Sequence, residues 1–381
     1  MLIGVDASRA TVSQRTGTEG YSLHIIRGLI AQGQEHRFRL YFRDEPEAGL
    51  VPPAANVEPV IIHRQRLWTH GGLGPLVRRE RPDVLFVPAH VIPWPGTGRV
   101  PSVVTAHDLG YLHYPDKHPL AARLYLNWST RHSTRAARRV IAVSQATAHD
   151  LHALNGVPQE KIRVVHSGVD ETLRPVTDAR ELAQLKARLG IRGPYILHVG
   201  SLQPRKNLVR LIEAFDRIKD VLPGLTLVLA GRPGWNYQPI YDRVRTLGLA
   251  ERVLLPGFVA DDDLAALYSG AEVYAFPSLY EGFGFPALEA MACGTPLVCA
   301  GTSSLPELVG NAALTFPPTD VGSLAEALQR VLTDRALRAQ LIERGFARVQ
   351  LFSWEQAARE TLAVLAEAAT LSIDSRPTQG D

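Results

Sequence analysis

Short apolar segments rich in β-branched residues alternate with amphipathic segments along most of the chain, and this alternation restricts the fold more than any other feature. Such alternation is typical of strand–helix–strand units, whose strands pair in parallel. The predicted strands form a first series and a second series. The first series is Leu2–Val5, Phe38–Phe42, Val57–Ile62, Val84–Val87, Ser102–Thr105, Val140–Val143 and Ile162–Val165. The second series is Tyr195–Val199, Leu225–Ala230, Val253–Leu255, Val273–Phe276, Leu297–Cys299 and Ala313–Phe316.

Two series of strands predict two Rossmann-like α/β domains. A length of 381 residues agrees with this, because a single ordinary core rarely extends so far. We place the domains at residues 1–175 and 176–353, with the join near Asp170–Asp178. Residues 334–369 have a helical period, and residues 372–381 have the composition of a disordered tail.

Composition limits the class of protein. Apolar residues make up 45% of the chain and charged residues 21%, which is typical of soluble globular proteins. No apolar run approaches the roughly 18 residues of a membrane span, and the start of the chain does not resemble a signal peptide. Cys293 and Cys299 lie in apolar surroundings and indicate core residues of a reducing compartment. We therefore expect a cytoplasmic protein.

A net charge of +3 conceals an asymmetry between the two halves of the chain. Residues 1–174 carry 21 Lys and Arg against 15 Asp and Glu, and no acidic residue lies between Asp116 and Asp150. Arg131, Arg135 and Arg138 have the spacing of one helical face, with aromatic residues nearby. This basic stretch is consistent with a peripheral contact to an anionic membrane or with a solvated face. Nucleic acid is not an expected partner, because no stacking pattern supports it.

The most specific motif follows the strand that ends at Phe276 and reads PSLYEGFGFPALEAMACGTP. Glu281 precedes the turn Gly282-Phe283-Gly284, and Glu289 lies one turn into a helix that starts near Pro286. Glycines permit a close approach of backbone, and a helix start supplies N–H groups. Carboxylates accept hydrogen bonds from hydroxyl groups. The motif therefore predicts a site for a hydroxyl-rich or phosphorylated ligand.

A second motif begins at Tyr195 and reads YILHVGSLQPRKNLVRLIEAF. Arg205 and Lys206 follow a strand, at the end of the sheet where ligands of open α/β domains bind. A guanidinium and an ammonium group suit a diphosphate. Cations in a first helical turn run against the helix dipole, which favours a ligand over a merely solvated turn.

Glu281 and Glu289, in this context, resemble the E-x7-E signature of retaining GT-B glycosyltransferases, in particular those of glycosyltransferase family 4. The resemblance implies two Rossmann-like domains facing across a cleft, with the first completed by a C-terminal helix at about residues 354–371. It also implies a nucleotide diphosphate sugar on the second domain, with Arg205 and Lys206 stabilising the leaving diphosphate.

The resemblance extends to further residues. His107, in the segment HDLGYLHYP, is similar to a histidine that contacts the donor sugar, and Gly17 to a diphosphate or acceptor contact. Glu281 and the turn after it are expected to hold sugar hydroxyls, and Glu289 the ribose. The implied donor-binding residues are Gly17, Gly231, Phe258, Val259, Gly282, Phe283, Gly284, Phe285 and Glu289, beside the catalytic set His107, Arg205, Lys206 and Glu281.

Asp261-Asp262-Asp263 contains an Asp-x-Asp, but acidic residues at the start of a helix explain it without a metal. We expect no metal and no cofactor. The expected partners are a nucleotide-sugar donor, GDP-mannose or UDP-glucose first, and a glycan or lipid-linked acceptor. Two alternatives stay open: another GT-B enzyme such as a nucleotide-sugar epimerase, and a non-catalytic nucleotide-sugar-binding protein.

Overall fold

The computed structural model describes residues 1–12, 17–64, 66–89, 91–117 and 119–371. They form two compact units. The N-terminal unit is Met1–Gly168 together with the segment that begins at Trp354, and the C-terminal unit is Val169–Ser353.

The N-terminal unit is built on a parallel sheet of seven strands. The strands are β1 (Leu2–Asp6), β2 (Arg37–Phe42), β3 (Val57–Ile61), β4 (Val84–Val87), β5 (Ser102–Ala106), β6 (Arg139–Ala142) and β7 (Ile162–Val164). Their order across the sheet is β3-β2-β1-β4-β5-β6-β7. The central strand β4 is buried at every position, as expected where helices cover both faces of a parallel sheet.

Helices connect these strands. They are α1 (Gly17–Gln32), α2 (Gly74–Glu80), α3 (Gly110–His113), α4 (Leu120–Ala136) and α5 (Gln145–Ala153), with a π-helical turn at Trp68–Leu73 and 3₁₀ turns at Pro115–Lys117 and Gln159–Lys161. The start of α5 is capped by Ser144, whose Oγ accepts from the amide of Thr147 at 3.0 Å.

The C-terminal unit repeats the architecture with six parallel strands in the order β10-β9-β8-β11-β12-β13. The strands are β8 (Tyr195–Val199), β9 (Thr226–Ala230), β10 (Val253–Gly257), β11 (Val273–Phe276), β12 (Leu297–Ala300) and β13 (Ala313–Phe316). The order reverses between β8 and β11. Ligands of open α/β sheets bind at the carboxyl ends of the strands at such a reversal point.

Eight helices of this unit are described. They are α6 (Ala179–Leu189), α7 (Leu208–Ile218), α8 (Gln238–Thr246), α9 (Asp261–Ser269), α10 (Phe285–Ala292), α11 (Leu305–Val309), α12 (Val321–Thr333) and α13 (Arg335–Val349), with a 3₁₀ turn at Pro204–Lys206. Helix α7 has the strongest amphipathic pattern, and its apolar face, including Leu211 and Phe215, is fully buried.

The last helix, α14 (Trp354–Thr370), belongs to the N-terminal unit and packs on α1. Gly28 permits the close approach, because a Cβ there would lie 2.9 Å from the Cβ of Ala358. Glu367 ties the far end of α14 to the sheet, accepting from Arg139 at 2.9 Å and from Arg163 at 2.5 Å.

The structure confirms the predicted α/β pattern, and all thirteen predicted strands are present within two residues at their ends. The helical patterns of the sequence predict helices near residues 21–30, 120–137, 145–154, 208–219, 239–247, 262–268, 286–292, 323–332 and 334–369. The helices α2, α3, α6 and α11 were therefore missed. The helix α6 had clear signals, since Asp178 caps its start and Gly190, at φ +72°, ends it. The segment predicted as a helical tail forms two helices, α13 and α14, because residues 350–353 between them are not helical. The predicted disordered tail, residues 372–381, lies outside the described residues.

The division between the units lies at Gly168/Val169, earlier than the predicted boundary after residue 175. The reason is that the amide of Val169 donates to the carbonyl of Phe352 at 3.2 Å, and the amide of Val176 donates to Ser269 at 2.9 Å. The intervening segment is therefore bound to the C-terminal unit. Cys293 and Cys299 are buried and unpaired, as the sequence predicted.

Gly28→Val should destabilise the N-terminal unit by about 1–3 kcal/mol, because the added side chain would push α1 away from α14. Gly20→Ala in the same helix is the matched control, since no atom lies within 4 Å of its Cβ position. It should be neutral or stabilise by up to about 1 kcal/mol. Urea unfolding followed by tryptophan fluorescence measures both. Equal midpoints for Gly28→Val and wild type would show that this packing is not tight.

Candidate functional site

Two segments meet at the reversal point of the C-terminal sheet. One is the 3₁₀ turn Pro204–Lys206 after β8, and the other is the loop at residues 277–284 after β11. The amide of Leu279 donates to the carbonyl of Arg205 at 2.9 Å, so the two segments lie side by side. Because β8 and β11 are neighbours in the sheet, residues 75 positions apart in the sequence come together here.

Arg205, Lys206 and Glu281 form a buried ion triad. The Arg205 Nη1 lies 2.9 Å from Glu281 Oε2, and the Lys206 Nζ lies 2.7 Å from Oε1. Arg205 also donates to the carbonyl of Tyr280. The three side chains expose only 12%, 10% and 10% of their surface. Each carboxylate oxygen thus binds a different cation, and the triad keeps one net positive charge.

The charge of Glu281 is maintained by its partners. Burial alone would raise the pKa of this carboxyl, but Arg205 and Lys206 outweigh it and lower the pKa from 4.5 to about 2. The carboxylate is therefore ionised throughout the physiological range. A buried cluster with an unbalanced positive charge is costly, and a bound anion would offset that cost.

Asn207 fixes the backbone around the triad, and sequence reasoning missed it. It adopts a left-handed conformation with φ +60°, and its side-chain amide donates to the carbonyls of Pro277 at 3.0 Å and Pro318 at 2.7 Å. Arg210 donates to its Oδ1 at 2.8 Å. The available signal was the residue type directly after Lys206, because Asn adopts the left-handed conformation more readily than most residues.

The loop that carries Glu281 is held by two serines that the sequence analysis also missed. The amide of Glu281 donates to Ser303 Oγ at 2.9 Å, and Ser304 Oγ lies 2.9 Å and 2.7 Å from the carbonyls of Glu281 and Phe283. Gly284 ends the loop at φ +113°, where only glycine is unstrained, and α10 follows. The predicted Gly282, Phe283, Gly284 and Phe285 therefore form a rigid turn; their contact with a ligand stays a prediction.

His198, at the base of the triad, is a further residue without a sequence-based prediction. It is fully buried, and its Nδ1 lies 3.0 Å from the carbonyl of Ala275. A carbonyl only accepts, so Nδ1 carries the proton and Nε2 presents a lone pair. Burial, followed by the charge of Lys206, lowers the pKa of His198 to about 4. A neutral imidazole therefore lies beneath the cations without adding charge.

Glu289 occupies a different environment from Glu281. The hydroxyl of Tyr268 donates to its Oε2 at 2.7 Å, with no cation paired to this carboxyl among the described residues. Burial, with the nearby carboxylates of Asp170 and Asp261, raises its pKa from 4.5 to about 7. The two predicted glutamates thus lie on one turn and the helix that follows it, but their pKa values differ widely, about 2 for Glu281 and about 7 for Glu289.

Gly231, Phe258 and Val259 lie at the carboxyl ends of the adjacent strands β9 and β10. Gly231 must be glycine, because a Cβ there would lie 2.0 Å from the carbonyl oxygen of Gly200. The ring of Phe258 is 45% exposed, with the guanidinium of Arg232 at 4.7 Å from its centre. The predicted role of these residues at a nucleotide base stays a prediction.

His107 and Gly17 belong to the N-terminal unit. His107 donates from Nε2 to the carbonyl of Pro88 at 2.8 Å and packs edge-on against Tyr21, with ring centres 4.8 Å apart. Burial lowers the pKa of His107, which keeps the ring neutral. Gly17 is the exposed first residue of α1. Their predicted ligand contacts remain predictions.

Asp261, Asp262 and Asp263 open helix α9, as predicted. Asp263 pairs with Arg188 at 2.5 Å. Among the residues that the structure describes, no cluster of His, Cys, Asp and Glu has the composition and spacing of a metal site. Within the same residues, no helix is both long and apolar enough to cross a bilayer.

Known proteins share these features. Residues 183–348 match the glycosyl transferases group 1 family, and residues 15–173 match glycosyltransferase family 4. The O-antigen chain mannosyltransferase B of Escherichia coli is 32% identical over 68% of this chain and 69% of that protein. The serotype-specific mannosyltransferase WbdA of Escherichia coli is 30% identical over 71% of this chain, which spans about a third of that larger protein (33%).

The crystal structure of Anabaena Alr3699/HepE in complex with UDP-glucose superposes with a TM-score of 0.73 over 96% of this chain and 99% of that one, at 22% identity. The likeness confirms the GT-B fold that the sequence predicted. The matching families and the mannosyltransferase relative identify a glycosyltransferase. The chain belongs to the group 1 glycosyltransferases of family 4.

Glu289 should make stability depend on pH. Its folded pKa of about 7 exceeds the ordinary 4.5, so its contribution is complete below about pH 4.5 and is lost as the pH rises through 7. Relative to Glu289→Gln, the unfolding free energy of the wild type should fall by up to about 1.4 kcal/mol per pH unit in that window. Denaturant unfolding from pH 4.5 to 8 measures the difference.

The control for this measurement is Glu326→Gln on α12, because that side chain is exposed. It should leave the pH curve of the wild type unchanged. Parallel curves for wild type and Glu289→Gln across the window would contradict a raised Glu289 pKa.

Proposed function

We propose that this glycosyltransferase moves a hexose from a nucleotide diphosphate sugar to a glycan or lipid-linked acceptor, with retention of the anomeric configuration and without a metal. The observation that carries the proposal is the buried triad of Arg205, Lys206 and Glu281 at the reversal point of the C-terminal sheet. Two cations around one carboxylate leave a positive charge that a diphosphate would neutralise.

Arg205 and Lys206 are the proposed diphosphate ligands. Guanidinium binds phosphate oxygens through paired N–H groups, and ammonium adds a compact charge. Both cations are oriented in advance by Glu281 and by the backbone of the loop after β11. Negative charge that develops on the leaving diphosphate would therefore be stabilised without reorganisation, which is the most effective form of electrostatic catalysis.

Glu281 is the proposed ligand of the transferred sugar. Each of its oxygens binds one cation, and a carboxylate has about four acceptor positions, so acceptor capacity remains for a sugar hydroxyl. The turn from Gly282 to Phe285 would add backbone amides. Glu289, with Phe258, Val259 and Gly231 on the neighbouring strand ends, is proposed at the nucleoside, where the ionised carboxylate would accept from the ribose hydroxyls.

Retention is proposed to proceed by attack on the face that the nucleotide leaves, with the departing phosphate oxygen taking the proton of the acceptor. The triad supports this, because Glu281 is engaged by two cations and has a pKa of about 2, which makes it a poor base. The proposal includes no metal, because Arg205 and Lys206 supply positive charge at the diphosphate without one.

Mannose is the leading sugar. The two curated relatives described above are named mannosyltransferases, which supports GDP-mannose as donor. UDP-glucose stays the second candidate, because HepE was crystallised with it. Membership in a glycosyltransferase family favours transfer over the epimerase and the non-catalytic alternatives. A reducing cytoplasm, where nucleotide sugars are made available, is the proposed location.

Arg205→Ala and Lys206→Ala should each lower turnover by about 100- to 1,000-fold, because loss of one preorganised charge stabiliser costs about 2.7–4 kcal/mol in comparable sites. The assay is donor consumption by NMR with GDP-mannose, UDP-glucose and other nucleotide sugars, with and without simple mannoside or glucoside acceptors. The anomeric signal of any product reports retention directly.

Arg245→Ala is the matched control, since this arginine is 78% exposed and pairs only with Asp242 on the same helix among the described residues. It should keep the wild-type rate. Retention of more than about a tenth of the rate in both triad variants would contradict the diphosphate assignment. If the assay yields epimerised donor and no transfer product, the proposed reaction is wrong and the epimerase alternative is supported.

Turnover should survive an excess of EDTA. The physical reason is that the proposed diphosphate ligands are cations of the chain itself, and Asp261 and Asp263 are accounted for at the start of α9. The same NMR assay with EDTA, and with EDTA followed by Mn²⁺ or Mg²⁺, measures it. Loss of activity with EDTA and recovery with the metal would overturn metal independence.

A further inference from the structure

Helix α4 has an inverted pattern of burial. A helix on the surface of an α/β domain normally turns its large apolar residues inward. In α4 the buried residues are small and polar: Ser129, Ser133 and Thr134. Of its large apolar residues only Leu126 packs partly buried against the core, among the described residues. The other four are exposed to solvent by 45–61%, and they are Leu120, Leu124, Tyr125 and Trp128. An apolar face of this size on one helix calls for a partner.

The exposed residues form a continuous stripe. Leu120, Leu124 and Trp128 follow one another at intervals of four residues, and Arg131 and Arg135 continue the same side of the helix. With a rise of about 1.5 Å per residue, the stripe is about 22 Å long. Its first half is apolar and its second half is basic. An open groove of about 620 Å³ lies along the stripe, and Pro95 lines its other side.

The stripe is held rigidly. The ring of Trp128 stacks on His132 at 5.5 Å with an angle of 7°, and His132 Nε2 hydrogen-bonds to the carbonyl of Ile92 at 3.1 Å. The amide of Ile92 in turn donates to the buried Ser133 Oγ at 3.1 Å. The inward serine therefore has a structural partner, and the outward tryptophan is fixed in place by its own stack.

The charged residues of α4 itself are all basic. Arg131 and Arg135 are exposed. No acidic residue lies between Asp116 and Asp150. The sequence analysis placed Arg138 on the same face, which is wrong: α4 ends at Ala136, and the amide of Arg138 pairs with Ser102 beside the sheet. The basic half of the stripe is the pair Arg131 and Arg135.

We propose that α4 binds peripherally to a bilayer that contains anionic phospholipid. The apolar half of the stripe would enter the boundary between headgroups and acyl chains, where tryptophan and tyrosine are favoured. Arg131 and Arg135 would contact lipid phosphates. The charge selects this occupant, because a long segment without acidic residues matches a uniformly anionic surface. Such binding does not involve the triad, so it can be measured without turnover.

The test is co-sedimentation of the full chain with phosphatidylcholine vesicles, with and without about a third phosphatidylglycerol, at about 0.05 M and about 0.5 M salt. Binding should require the anionic lipid and weaken at high salt. The double variant Arg131→Ser, Arg135→Ser should bind about thirtyfold more weakly, since each cation near such a surface contributes about a factor of five. Leu124→Ser with Trp128→Ser should also lose binding.

The matched control is Leu351→Ser with Arg245→Ser, which removes one exposed apolar residue and one exposed cation from the C-terminal unit. This control should bind vesicles as the wild type does, and thermal unfolding checks that every variant is folded. Equal binding to neutral and anionic vesicles would overturn the proposal, as would unchanged binding by both α4 variants. A lipid-free dimer that Trp128→Ser dissociates, without vesicle binding, would assign the stripe to a second copy instead.

Discussion

A buried carboxylate held between two cations is the interaction on which the candidate site depends. Charges removed from water cost several kcal/mol each unless their geometry and hydrogen bonds compensate. In this protein Glu281 binds one cation with each oxygen, and Arg205 adds a bond to a backbone carbonyl. Asn207 joins the turn after β8 to the loop after β11, and Ser304 holds the loop that carries Glu281. In the proposed function, the remaining positive charge receives the diphosphate of the donor, and the fixed backbone holds the cations in place for it.

The two glutamates of the motif show how environment divides chemical roles. They are eight residues apart on one turn and helix, yet the pKa of Glu281 is about 2 and that of Glu289 is about 7. The difference follows from their neighbours: two cations in one case, and burial beside other carboxylates in the other. A permanently ionised Glu281 suits a fixed sugar contact. Glu289 changes its charge near neutral pH, which would couple nucleoside binding to pH.

Helix α4 of the N-terminal unit does not follow the ordinary packing pattern of a surface helix. Inward serines and outward Leu124 and Trp128 reverse the pattern that stabilises a domain by itself. Elsewhere the unit is conventional: α14 packs closely on α1 at Gly28, and Glu367 anchors two strands. The inverted burial along α4 is the feature that the proposed membrane contact accounts for.

The sequence by itself determined the strands, the two-domain pattern and the residue types of the site, because periodicity and local motifs are properties of short segments. Tertiary structure decided the rest. Only the neighbouring positions of β8 and β11 bring Arg205 and Lys206 to Glu281, and these two contacts lower the pKa of the carboxyl. The roles of Asn207 and His198 likewise depend on partners about 70 residues or more away. Contacts across a sheet follow strand order, which no local pattern specifies.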